Sequence, residues 1–138
     1  MGEDFSKNLV KRYAYWEIYI HKNQGYLGRC IIWCKRENVL DLADATPEEQ
    51  RELFLVLHDL REASKEVFQP DWFNYSFLGN VMPHLHGHFI PRYAKPRTFM
   101  GMTFTDELYG NHYDEDKDIT VPEEVLQSMK NELAKALR

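Results

Sequence analysis

Pro83-His84-Leu85-His86-Gly87-His88-Phe89-Ile90-Pro91-Arg92 sets three histidines two residues apart. That is the period of a β-strand, so the three imidazoles share one face while Leu85, Gly87 and Phe89 share the other. Two chemistries could use such a face. Neighbouring histidines can chelate one metal ion, but on a straight strand the outer pair lies roughly 13 Å apart. Three ligands from one strand therefore cannot converge on an ion whose bonds are about 2 Å long. A metal enzyme would use His84 with His86, or His86 with His88, and take its other ligands elsewhere. In the second chemistry His86 is a nucleophile, and His84 and His88 orient and neutralise what it attacks. A surface strand that is merely rich in histidine is a third, silent reading, against which the strict alternation argues.

Working outward, residues 72–78 (Trp-Phe-Asn-Tyr-Ser-Phe-Leu) are strand-like, and Gly79-Asn80 is a turn signal. The histidine strand is thus expected to pair with its predecessor through a tight turn that brings Asn80 close to His84. Further upstream, Thr46-Pro47-Glu48-Glu49 offers an N-cap hydroxyl, a proline at the first helical position and a glutamate three residues after the cap. Leu53, Val56, Leu57, Leu60 and Val67 follow at helical spacing, predicting one long helix over residues 47–68. His58 sits among polar neighbours and reads as solvent-facing. Residues 13–21 and 27–34, rich in β-branched and aromatic side chains, predict two strands joined through the turn at Lys22-Asn23-Gln24-Gly25. Pro122 opens a last helix, with Val125, Leu126, Met129, Leu133 and Leu137 on one face. The order strand, strand, helix, strand, strand, helix, with its tight connections, predicts an α+β domain with an antiparallel sheet.

The 138 residues suffice for one domain with its own core. Residues 1–7 read as a disordered tail and 8–138 as the single domain. No run is long enough to span a membrane and the first residues lack the apolar segment of a signal peptide, so the expected location is cytoplasmic. Cys30 and Cys34 fit neither a metal nor a redox spacing and read as buried thiols. An EF-hand loop begun at Asp114 would need Gly at 119 and Glu at 125, where the chain has Ile119 and Val125. The net charge of −5 argues against a general nucleic-acid binder. Residues 21–36 nevertheless carry Lys22, Arg29, Lys35 and Arg36 with no acid, and 84–97 carry Arg92, Lys95 and Arg97 with none. Basic segments within an acidic protein suit a small phosphorylated ligand.

His84-x-His86-x-His88-Phe89-Ile90 resembles the histidine-triad (HIT) signature, and the flanking Pro83 and Ile90-Pro91-Arg92 are similar to its bacterial members. Gly87 departs from it, since that slot is usually bulky and apolar. The resemblance implies an antiparallel sheet of about five strands with one long central helix and a C-terminal helix. It implies a nucleotide hydrolase or nucleotidyl transferase acting at an α-phosphate, with a nucleoside phosphoramidate or a dinucleoside polyphosphate as substrate. His86 would be the nucleophile and form a nucleotidyl-histidine intermediate, its second ring nitrogen held by the main-chain carbonyl of His84. His88 would donate to the phosphoryl group, and the His84 side chain would orient its neighbours. Asn80 and Arg92 would join His88 in binding phosphate. Placing Leu27-Gly28-Arg29 on the family's Pro-Gly-His step assigns Tyr19 to the base wall. The same placement puts His21, with Asn23 nearby, where an acid or amide usually holds the ribose. The family's two-fold dimers imply a homodimer. No cofactor is required by this scheme, although a divalent cation could accompany a polyphosphate. The rivals are a nucleotide-binding module without catalysis, suggested by His21, Val81 and Gly87, and the two-histidine metal enzyme.

Overall fold

The computed structural model describes residues 5–137. Its central sheet runs in the order β1-β2-β3-β5-β4, with β1 Leu9–Arg12, β2 Trp16–Ile20, β3 Cys30–Cys34, β4 Trp72–Ser76 and β5 His86–Arg92. Every neighbouring pair is antiparallel. Helices α1 (Pro47–Phe68) and α2 (Glu123–Ala136) touch each other and cover β1 and β2. The fold is α+β, as the element order predicts. Among the described residues no helix is long and apolar enough to cross a membrane.

Alternation along the strands separates core from site. On β3, Cys30, Ile32 and Cys34 are buried in the core, whereas Ile31 and Trp33 are half-buried on the opposite face. Register pairs Ile31 with His88 and Trp33 with His86, which puts both histidines on the face away from the helices. The core face carries Trp16, Ile18, Ile20 and Phe89 against Leu60, Phe68, Met129 and Leu133, all essentially inaccessible. Each such side chain contributes about 1.5–3 kcal/mol by leaving water. Helix α1 begins where its capping box places it, with Thr46 and Glu49 exchanging both cap hydrogen bonds. Cys30 and Cys34 are free buried thiols, and burial pushes the Cys30 thiol far above its ordinary range. His58 is solvent-exposed.

Four local expectations change. The part of the expected tail within the described residues is ordered: Ser6–Asn8 forms a 3-10 turn, Asn8 is buried, and Lys130 Nζ donates to the Lys7 carbonyl at 2.9 Å. Contacts 123 residues away hold it, which local composition cannot reveal. Residues 1–4 of that tail lie outside the described residues. Strand β1 was hidden at the start of the chain, and a small hairpin, β6 Arg97–Phe99 with β7 Met102–Phe104, follows the site strand. Met100 and Gly101, both with positive φ, make its turn.

The fourth change bears on the site. β4 does pair with β5, but residues 77–85 form a long loop in place of a tight turn. The end of that loop is held elsewhere: Leu85 N–H donates to Val39 O at 2.8 Å and Cys34 N–H to Leu85 O at 3.1 Å. The strand therefore begins at His86, and His84 stands before it. The loop also explains Gly87. A Cβ at that position would fall 2.5 Å from Cε2 and Cζ of Phe77, whose ring fills the space that a bulky residue would take. Gly87→Ala is predicted to destabilise the protein by about 1–3 kcal/mol through overpacking. Urea denaturation of Gly87→Ala, Phe77→Ala and the double variant should give a strong favourable coupling between the two positions.

Candidate active site

The sheet face away from the helices opens into a cavity of about 420 Å³, within the range of small-ligand sites. His86, His88, His21 and Arg29 supply its polar lining, and Ile31, Trp33, Leu78 and Met82 part of its apolar wall. Asn80 lines it too, from the exposed 77–85 loop.

The partners of each imidazole fix its proton. His86 Nδ1 lies 2.6 Å from the carbonyl oxygen of His84. A carbonyl only accepts, so Nδ1 carries the proton and the lone pair of Nε2 is free. This is the main-chain contact that the sequence resemblance implies. His84 Nε2 likewise donates to Cys34 O at 2.5 Å, and the ring stacks on Trp33 with centroids 4.0 Å apart. His84 is absent from the cavity lining and braces the turn into β5. His21 Nδ1 accepts from the Asn23 backbone N–H at 2.9 Å, leaving its proton on Nε2. The rings of His86 and His88 meet edge to face at 5.2 Å, and those of His21 and His88 lie 5.9 Å apart.

His21 and His88 resist protonation. Burial, then the charge of Arg29 and neighbouring His88, lower His21 to about 3. Burial, Arg29 and His86 lower His88 to about 4. Both are neutral near pH 7, and what they offer to a ligand is an N–H donor without charge.

Three of the residues singled out in the sequence are placed otherwise. Arg92 is only 2% exposed and donates to Asp106 Oδ2 and Oδ1, Asn74 Oδ1, Asn111 O and Leu108 O. Its five N–H donors are thereby all used, and none is left for a phosphate. Its role is to pin the 106–111 segment over the end of β5. Asn23 is spent on the loop after β2: Oδ1 accepts from Gly25 and Ile119 N–H, and Nδ2 donates to Lys117 O. Tyr19 shares the face of Ile31, but its hydroxyl donates to Glu17 at 2.9 Å and it does not line the cavity.

The residues not assigned to the site from sequence include Trp33 and Arg29. Trp33 forms the platform for His84 and wall for the cavity. Arg29 lines the cavity with Nη2 3.3 Å from His88 Nδ1. Its loop is built to hold it: the buried Gln24 donates from Nε2 to both His21 O and Arg29 O, and accepts from Gly28 N–H. Gly28 has φ +87°, and a Cβ there would strike the Phe68 ring at 2.8 Å. The strand alternation that placed Ile31 and Trp33 on this face extends to residue 29, and was the signal available.

Comparison with known proteins agrees with this fold. A family model described as the HIT domain matches residues 10–95. The fold is similar to a histidine triad protein from Bradyrhizobium japonicum, at 16% identity over 100% of this chain and 97% of that one, with TM-score 0.74. It is similar also to a histidine triad protein from Sinorhizobium meliloti, at 16% identity over 98% and 94%, with TM-score 0.76. A third histidine triad protein, from Marinobacter aquaeolei, is 20% identical over 96% and 91%, with TM-score 0.72. No curated protein matches the chain.

Two outcomes follow for stability. Because His21 and His88 titrate lower in the folded than in the unfolded chain, the unfolded state alone takes up their protons as pH falls below about 6.5. Stability is therefore full above that pH and declines down to about pH 3, the His88 share being lost by about pH 4, and His88→Asn should flatten the decline in urea titrations at stepped pH. Asp106→Ala, which strands the Arg92 charge in the interior, should cost about 3–5 kcal/mol by the same measurement.

Proposed function

Because the chain belongs to the HIT domain family, whose model covers most of it, we propose that it is a nucleotide hydrolase that cleaves at an α-phosphate through a nucleotidyl-histidine intermediate. The observation that carries this reading is the free Nε2 lone pair of His86, aimed from a fixed ring into a cavity that also receives His88. An imidazole held this way is a nucleophile near neutral pH without a separate base.

In the proposed reaction His86 Nε2 attacks the α-phosphorus in line, an N–P bond forms, and the bond from phosphorus to the leaving group breaks. Water then displaces His86 and releases a nucleoside monophosphate. His88 donates its N–H to a phosphoryl oxygen or the bridging atom, where one donor is worth roughly 3 kcal/mol of barrier. The base would lie against Ile31, Trp33 and Met82 in place of Tyr19, with Asn80 at the phosphate from the loop side. A neutral His88 gives a hydrogen bond more readily than a proton. That suits a polyphosphate, which departs as a stable anion, better than an amine, which must be protonated to leave. The substrate class is accordingly a dinucleoside polyphosphate, with phosphoramidates as slower substrates and a divalent cation carried in on the polyphosphate. The protein would work in the cytoplasm as a homodimer, for which the open edge of β4 presents Trp72 and Tyr75.

His86→Ala should lower turnover of diadenosine tetraphosphate by at least about a thousandfold while leaving nucleoside monophosphate affinity within a few-fold. Intact-protein mass spectrometry after a rapid non-acidic quench should find an adduct of one nucleoside monophosphate on the parent and none on the variant. Tight monophosphate binding with no adduct and no turnover would replace this reading by a binding module.

A further inference from the structure

The proposed reaction gives no role to Arg29, a cation that lines the cavity. Arg29 is 8% exposed, its Nε is shielded from solvent without a hydrogen-bond partner, and its guanidinium makes one hydrogen bond among the described residues, to His88. Arg92, on the same sheet face, shows what a structural arginine looks like here: every donor filled and a carboxylate in contact. A buried guanidinium so poorly matched costs folding free energy. Such a cost, in a segment held by Gln24 and by the left-handed Gly28, marks a residue kept for the site.

We propose that Arg29 is a positioning residue for His88: its Nη2–H donates to Nδ1, which fixes the ring proton on Nε2 and presents that N–H to the ligand. The inference rests on the reading of His88 as the donor to the phosphoryl group. The direction of the bond follows from chemistry, since a guanidinium has five donors and no acceptor. His88 Nδ1 must then be the acceptor, and the second ring nitrogen must hold the proton. The result mirrors His86. There a carbonyl forces the proton onto Nδ1 and frees Nε2 as nucleophile, whereas here a guanidinium forces it onto Nε2 and makes a donor. Two adjacent histidines on one strand are thus held in opposite tautomers by partners of opposite character.

The other groups around His88 do not compete for Nδ1. His86 lies edge-on along its own strand, His21 approaches from the loop after β2, and Ser76 is its register partner on β4, with its hydroxyl 3.0 Å from that of Tyr113. Glu115 lines the cavity without forming an ion pair with Arg29 among the described residues. The positive charge beside His88 also disfavours its protonation, which agrees with a leaving group that departs as an anion.

Two-bond ¹H–¹⁵N correlation spectra of the histidine rings test this without any substrate. In the ligand-free parent His88 should give the Nε2–H tautomer pattern; Arg29→Lys, which retains a donor, should keep it, and Arg29→Met should give a mixture. Arg29→Met should lower kcat on diadenosine tetraphosphate by about a hundredfold with KM little changed, Arg29→Lys should recover most of it, and Tm of Arg29→Met should be unchanged or higher. An Nδ1–H tautomer in the parent, a tautomer indifferent to Arg29→Met, or a loss confined to KM would overturn the proposal. If the parent forms no nucleotidyl adduct the catalytic reading fails, while the tautomer spectra still decide the role of Arg29.

Discussion

The hydrogen bond from His86 Nδ1 to the carbonyl of His84 is the constraint on which the rest of the site depends. It joins a side chain to a main-chain group two residues earlier, which a continuous strand from residue 84 would not allow. The strand must begin at His86, and the chain before it must be bent back. The fold supplies the bend through main-chain bonds of Leu85 to Val39 and Cys34, through the Nε2–H of His84 on Cys34 O, and through the stack of His84 on Trp33. Residue 34 thus anchors the turn twice by its backbone, while its thiol is buried in the core. Helices α1 and α2 support the site from beneath, by packing on β1 and β2 and by the Phe68 ring of α1 against Gly28.

Charge in the cavity is organised by a contest that desolvation wins. Burial is the largest influence on both His21 and His88, and the neighbouring guanidinium acts in the same direction. An anionic ligand would reverse the second influence and leave the first. Elsewhere the same fold lets ion pairing win. Arg36 beside Glu49 lowers that carboxyl to about 2 despite its burial, because a guanidinium and the Thr46 backbone N–H at the cap of α1 both donate to it. What separates the two places is whether the buried group is given a partner of opposite charge. Among the described residues the cavity gives Arg29 no such partner, and its guanidinium donates to His88 Nδ1 instead.

Much of this could be read from residues in order. The capping box fixed the start of α1, the period of two placed His86 and His88 on one face, and the apolar spacing of α2 marked its buried side. Illegible features depend on partners far away in sequence. Asn23 looks like a free polar turn residue until residues 117–119 fold against it. The 77–85 loop contains a strong turn signal, yet its course is set by Val39 and by the Phe77 ring beside Gly87. Gly87 seemed a weakness of the motif and is half of a packed pair, the missing side chain being supplied from the loop.

The two arginines carry the same lesson into function. Residues 88, 90 and 92 share a strand face, so parity alone puts Arg92 on the side of the triad, and its basic charge suggests a phosphate contact. Parity says nothing about what lies over that face. Residues 106–113 cross its far end, burying Ile90 against Tyr26 and Tyr113 and closing Asp106 onto Arg92. The covered end therefore consumes its cation in holding the segment down. On the facing strand Arg29 has the equivalent parity and lies next to the Ile90 end of β5, yet it lines the cavity and forms no ion pair with a carboxylate among the described residues. A charge count along the chain weighs these arginines equally. Burial with five hydrogen bonds makes one a fastener, and burial with one among the described residues leaves the other available to the site.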